Sequence, residues 1–152
     1  MSAHNIKRLQ RIQKRAARIV HNSNGRSSTS AMLRELHWLP IAQRIDYKVA
    51  LITFKVLSLN QPAYLRSLLL IFTPVRLLRS SSKGVLLNVP FSKTALATRA
   101  FSSSAHRLWN TLPQSLRDSV QLKRGVDAVS VNHFKSLLKT ILFTTAFGGV
   151  TK

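Results

Sequence analysis

Lys7, Arg8, Arg11, Lys14, Arg15 and Arg18 set six cationic side chains into twelve residues, and no carboxylate falls among them. Their spacing matters as much as their charge. At about 100° per residue all six share one arc of a helix, while Ile6, Leu9, Ile12, Ala16, Ile19 and Val20 recur at steps of three and four, with one adjacent pair at the end, on the other side. With a 1.5 Å rise per residue the basic stripe runs roughly 16 Å. Fixed cations in such a row suit the phosphate oxygens of RNA or DNA, contacts that attract and position without reading a base. Arg26, Arg76, Arg79 and Lys83 lie further along and are expected to support the stripe. The bland alternative is a solvated face, but such faces ordinarily mix signs.

Chemistry beyond charge is sparse. The only acids are Glu35, Asp46, Asp118 and Asp127, and no two are adjacent, whereas two-metal phosphoryl transfer needs carboxylates close enough to share cations. The five histidines, His4, His21, His37, His106 and His133, show no pair four apart, the helical spacing that binds zinc. Ser136-Leu137-Leu138-Lys139 has the form Ser-x-x-Lys, but it sits in an ordinary amphipathic stretch without supporting residues. There is no G-x-S-x-G elbow, no phosphate-cradling glycine loop, and no cysteine for a disulfide or thiolate site. The expectation is a chain with no catalytic residue, no cofactor and no metal.

The elements that carry these residues read as mainly α, a small helical bundle with a short β or irregular segment in the middle. Residues 1–22 form the basic amphipathic helix, ended by His21-Asn22-Ser23-Asn24-Gly25, in which Asn and Gly suit a left-handed cap. Residues 23–72 are a helical segment: a short helix from Ala31 to Trp38, stopped before Leu39-Pro40, then a long one to about Leu59 with the stripe Ile41, Ile45, Val49, Ile52, Val56 and Leu59. Leu51, Phe54 and Leu57 are apolar as well, so this helix should be the most buried. Pro62 is expected to restart a shorter helix to about Leu70. Residues 73–98 read as loop or short strands, with Val85 to Val89 a strand that lacks an obvious partner. Residues 99–143 hold C-terminal helices, the last capped by Ser130 and carrying Phe134, Leu137, Leu138, Ile141 and Leu142. Residues 144–152 read as a flexible tail. Trp38 and Trp109 each precede a Leu-Pro step at a helix end. Their apolar surroundings favour buried anchors over platforms on which bases stack.

The whole chain has 24 Lys and Arg against 4 Asp and Glu, a formal charge of +20 over 152 residues. Self-repulsion of that size opposes compaction, and a polyanion relieves it. The longest apolar run, Leu68 to Phe72, is far short of the roughly 20 residues a membrane span needs, and the basic start lacks the apolar core of a secretory signal. An Arg-rich, acid-poor amphipathic start also fits a mitochondrial presequence, so that compartment stands as the alternative to nucleus or cytoplasm.

The order of several segments carries a resemblance. Arg8-Leu9-Gln10-Arg11-Ile12-Gln13-Lys14-Arg15-Ala16-Ala17-Arg18-Ile19-Val20 is followed by Leu36-His37-Trp38-Leu39-Pro40-Ile41-Ala42-Gln43-Arg44-Ile45-Asp46-Tyr47-Lys48. Then come Pro62-Ala63-Tyr64-Leu65, Leu78-Arg79-Ser80-Ser81-Ser82, Arg99-Ala100-Phe101-Ser102, Arg107-Leu108-Trp109-Asn110-Thr111-Leu112-Pro113 and Phe134-Lys135-Ser136-Leu137-Leu138-Lys139. Over roughly Ile6 to Phe143 this series resembles the C-terminal tail of LINE-type (non-LTR) retrotransposon reverse transcriptase polyproteins. The resemblance implies a region outside the polymerase and endonuclease active sites, which would precede residue 1, and a tail that binds the element's RNA or its target DNA. The chain departs from the family at Ala97-Thr98, where Gly-Asp is frequent, at His106, where proline is frequent, and over Leu122 to Val129, which marks a diverged copy. A second reading makes the chain a packing module for the missing reverse transcriptase domains, with no independent function.

Overall fold

The computed structural model describes residues 2–22, 28–73, 84–121 and 130–148. Among them are eight helices: α1 (Ala3–Val20), α2 (Thr29–Glu35), α3 (Ile41–Leu59), α4 (Ala63–Arg66), α5 (Ala95–Arg99), α6 (Phe101–Thr111), α7 (Gln114–Gln121) and α8 (Val131–Phe147). The chain is mainly α, as its periodicity implies. It divides into two compact units, Met1–Tyr47 with Lys139–Lys152, and Lys48–Leu138, so that α3 and α8 each contribute to both.

In the first unit α1 starts at Ser2, whose hydroxyl accepts the Asn5 N–H at 3.3 Å, a helix N-cap bond. α2 ends earlier than its sequence suggests. The His37 N–H donates to Arg34 O at 3.1 Å and the Trp38 N–H to Leu33 O at 2.8 Å, with His37 left-handed at φ +52°. This is a Schellman stop, usually made by glycine, and it places Trp38 outside the helix rather than on it. Ala17, Met32, Leu33 and Phe147 form the core, with Leu36, Trp38, Phe143 and Ala146 packed against it. Residues 144–147 are therefore not tail. Phe147 follows Phe143 by one turn, their rings 4.7 Å apart, and its burial draws α8 on to Phe147.

The core of the second unit is aromatic. Phe134 stacks on Phe54 at 4.0 Å and 9°, and on Trp109 at 6.2 Å and 22°. All three are fully buried. The Ser130 hydroxyl accepts the Asn132 N–H at 3.2 Å at the start of α8, as its sequence implies. With five buried residues, α3 contributes more to the interior than any other described helix, yet it uses the expected stripe only in part: Val56 is buried and Ile41, Ile45 and Val49 half-buried. Ala50, Leu51, Thr53, Phe54 and Val56 face inward, while Ile52 and Leu59 stay exposed. With apolar residues almost all round its second half, periodicity leaves the rotation open, and the Phe54–Phe134 stack selects it. α4 stops at Arg66 rather than near Leu70, and residues 95–98 are helical rather than loop, since the Thr94 hydroxyl accepts the Ala97 N–H and caps α5. After Pro113, α7 adds eight residues of helix.

The segment expected as a strand finds an unusual partner. Leu87 forms a single antiparallel bridge with Ile71, through Phe72 N–H to Leu86 O at 2.9 Å and Asn88 N–H to Leu70 O at 2.8 Å. Four further backbone groups are met by side chains of α6. Asn110 accepts the Leu87 N–H at 2.9 Å and donates to Leu87 O at 2.8 Å. The Trp109 indole donates to Val85 O at 2.9 Å, and His106 Nε2 accepts the Leu70 N–H at 3.2 Å. A helix face thus does what a neighbouring strand would, which explains why a lone bridge persists.

Because Nε2 is an acceptor, His106 is neutral in the fold. Its burial lowers its pKa from the ordinary value, opposed in part by the Ser102 carbonyl, although Nδ1 makes no hydrogen bond of good geometry among the described residues. A folded pKa below the unfolded one means that the unfolded chain takes up the proton first as pH falls. The stability that a neutral His106 contributes is full above about pH 6.5, declines below it, and levels off past the folded value. His106→Gln, whose amide oxygen accepts the Leu70 N–H without titrating, should flatten this decline. Urea denaturation at pH 7.5 and 5 measures it, and an equal decline in both proteins would contradict the assignment.

Candidate nucleic-acid interface

α1 holds its six cations in the open. Lys7, Arg8, Arg11, Lys14, Arg15 and Arg18 are all exposed, on one arc of an 18-residue helix that contains no acid. Arg26, Arg76, Arg79 and Lys83 lie outside the described residues. Of the two acids in the same unit, Glu35 pairs with His21 at 2.6 Å. Asp46 is half-buried, and burial raises its pKa, so neither carboxylate sits on the α1 stripe. Not every cation is available in this way. Arg117 is 7% exposed and its Nε donates to Leu112 O at 3.0 Å, holding the α6–α7 corner.

What fixes the rotation of α1 is a pair of glutamines. Gln13 Nε2 donates to Leu39 O at 2.8 Å, Gln10 Nε2 donates to Gln13 Oε1 at 2.9 Å, and Gln10 Oε1 accepts the Ile41 N–H at 2.9 Å. The last bond satisfies an N–H at the start of α3 that has no partner within its own helix. The clamp turns Gln13 and Ala17 inward, with Ile6, Gln10 and Ala16 half-buried.

Most of the apolar stripe of α1 is thereby left outside the core. Leu9, Ile12, Ile19 and Val20 are 37%, 61%, 80% and 59% exposed. Two polar side chains committed to backbone groups hold this rotation, since leaving either buried group unmet would cost about 1–3 kcal/mol. The glutamines carry no periodic signal, so nothing in the hydrophobic pattern marks them.

The tryptophans do not present rings for stacking. Trp109 is fully buried and its indole N–H is bonded to Val85 O, while Trp38 is half-buried against the first core. Among the described residues no group of three or more His, Asp or Glu is placed to hold a metal ion, and no helix is long and apolar enough to cross a membrane. No protein-family model, curated protein or solved structure matches the chain.

Proposed function

We propose that the chain is a non-catalytic nucleic-acid-binding module that contacts phosphates through α1, in nucleus or cytoplasm, as its resemblance to the tail of LINE-type reverse transcriptases implies. One observation carries the reading: six exposed cations on a single acid-free arc of one helix. Such an arc follows a line of phosphates, and with RNA or DNA the gain is the release of condensed counterions. Arg26, Arg76, Arg79 and Lys83 would add to the same field. Fluorescence anisotropy on labelled single-stranded RNA and duplex DNA across a salt series tests it. Neutralising six phosphates on duplex gives a slope of log K against log salt of about −5. Absent binding, or binding indifferent to salt, would sink the proposal. The packing-module reading is favoured by a different observation, the exposed apolar residues of α1.

A further inference from the structure

The exposed apolar residues of α1 are not scattered. Leu9, Ile12, Ala16 and Ile19 are spaced three, four and three apart, the a and d positions of two successive heptads. Ala16 is half-buried and the others are exposed. On this register Arg8 and Arg15 take the g positions along one border of the seam. On the other border Gln13 is 8% exposed and committed to the Leu39 carbonyl. The seam is therefore open on top and lined by arginine on one side, while the other side is closed by the protein at Gln13 and open at Val20.

We propose that this seam docks an amphipathic helix of another protein whose apolar stripe is bordered by carboxylates. Charge decides among the possible occupants. In an antiparallel pair of α1 helices Arg8 and Arg15 would face each other, and in a parallel pair they would face Gln13 and Val20, so a second copy supplies no counter-charge in either direction. A lipid interface is favoured by a broad apolar face with aromatic anchors, and α1 has no aromatic residue. An acidic flank on a partner helix answers the arginine border, while its Leu or Ile side chains cover Leu9, Ile12 and Ile19. The docking uses a different arc of α1 from most of the phosphate contacts, so it stands apart from the nucleic-acid reading.

The test is anisotropy of the full chain with labelled four-heptad peptides at about 0.15 M salt, where exposed charges more than about 8 Å apart are largely screened. The first peptide has Leu at a and d and Glu at e and g. The second keeps the Glu but has Ser at a and d, and the third keeps the Leu but has Lys at e and g. Binding of the first alone is expected, weakened at least about tenfold (about 1.4 kcal/mol) by Ile12→Ser/Ile19→Ser. Both positions are exposed, so the variant should keep its fold, which circular dichroism checks. Equal binding of the Ser-core peptide would reduce the attraction to charge alone and overturn the proposal. So would absent binding of the first peptide, or binding unaffected by the double variant. Self-association through the seam in sedimentation equilibrium, or binding only to vesicles of phosphatidylserine and phosphatidylcholine, would assign the seam to another occupant and equally overturn it.

Discussion

Phe134→Ala should destabilise the protein by about 3–5 kcal/mol, the usual range for truncating a fully buried phenylalanine. The side chain lies between the rings of Phe54 and Trp109, and its loss opens a void between α3, α6 and α8. Neither neighbour can follow it freely. The Trp109 indole is tied to Val85 O, and Phe54 sits on a helix with five buried residues. A site that cannot collapse costs more than one that can. Phe134→Leu separates the two contributions, because it keeps most of the volume and loses the ring stacking, worth about 0.5–1.5 kcal/mol. Urea denaturation followed by tryptophan fluorescence and by circular dichroism measures both variants. A loss below about 1 kcal/mol for the alanine variant would show that the aromatic stack does not organise this core.

Where periodicity was sharp, the sequence was legible. α1 and the line of Phe134 and Leu138 on α8 follow directly from three- and four-residue spacing, and the Ser130 cap from its residue type at the helix start. Where apolar residues surround a helix, as in the second half of α3, periodicity names an element but not its rotation. Polar side chains bonded to backbone were illegible altogether. Gln10 and Gln13 turn α1, and His106 and Asn110 secure the bridge between Ile71 and Leu87, yet each looks like an ordinary surface residue of a helix. Their backbone partners lie 23 to 36 residues away along the chain, so no local pattern could reveal them.

The same lesson applies to the segments behind the family resemblance. Leu-Gln-Arg-Ile-Gln in α1 and Trp-Leu-Pro-Ile before α3 meet through Gln10, Gln13, Leu39 and Ile41. Trp109-Asn110 grips Val85 and Leu87. These segments are accounted for by backbone hydrogen bonding within each unit, whereas the cations of α1 are not. Arg11, Lys14 and Arg18 project outward with no acid on their helix. A fold that needed them only for packing would tolerate carboxylates among them, and would gain pairs at four-residue spacing by having them.

The consequence is a large effect on binding with little effect on folding. Replacing Lys7, Arg11, Lys14 and Arg18 by Ala removes four of the six cations of the arc and leaves Arg8 and Arg15, which border the apolar seam. All four side chains are exposed and alanine is the best helix former, so α1 should survive intact. Each phosphate contact is worth roughly fivefold in affinity at 0.15 M salt, so the variant should bind duplex about 10³-fold more weakly. Its salt slope should fall from about −5 to about −2, because only two contacts then release counterions. Arg11→Lys/Arg18→Lys provides the control, since lysine keeps the charge and should keep the slope. Ile12→Ser/Ile19→Ser should also leave the slope unchanged, which distinguishes the phosphate arc from the apolar seam on the same helix. If the fourfold alanine variant kept the native slope, phosphate binding would rest on other residues, and α1 would be a docking helix whose charges serve its partner alone.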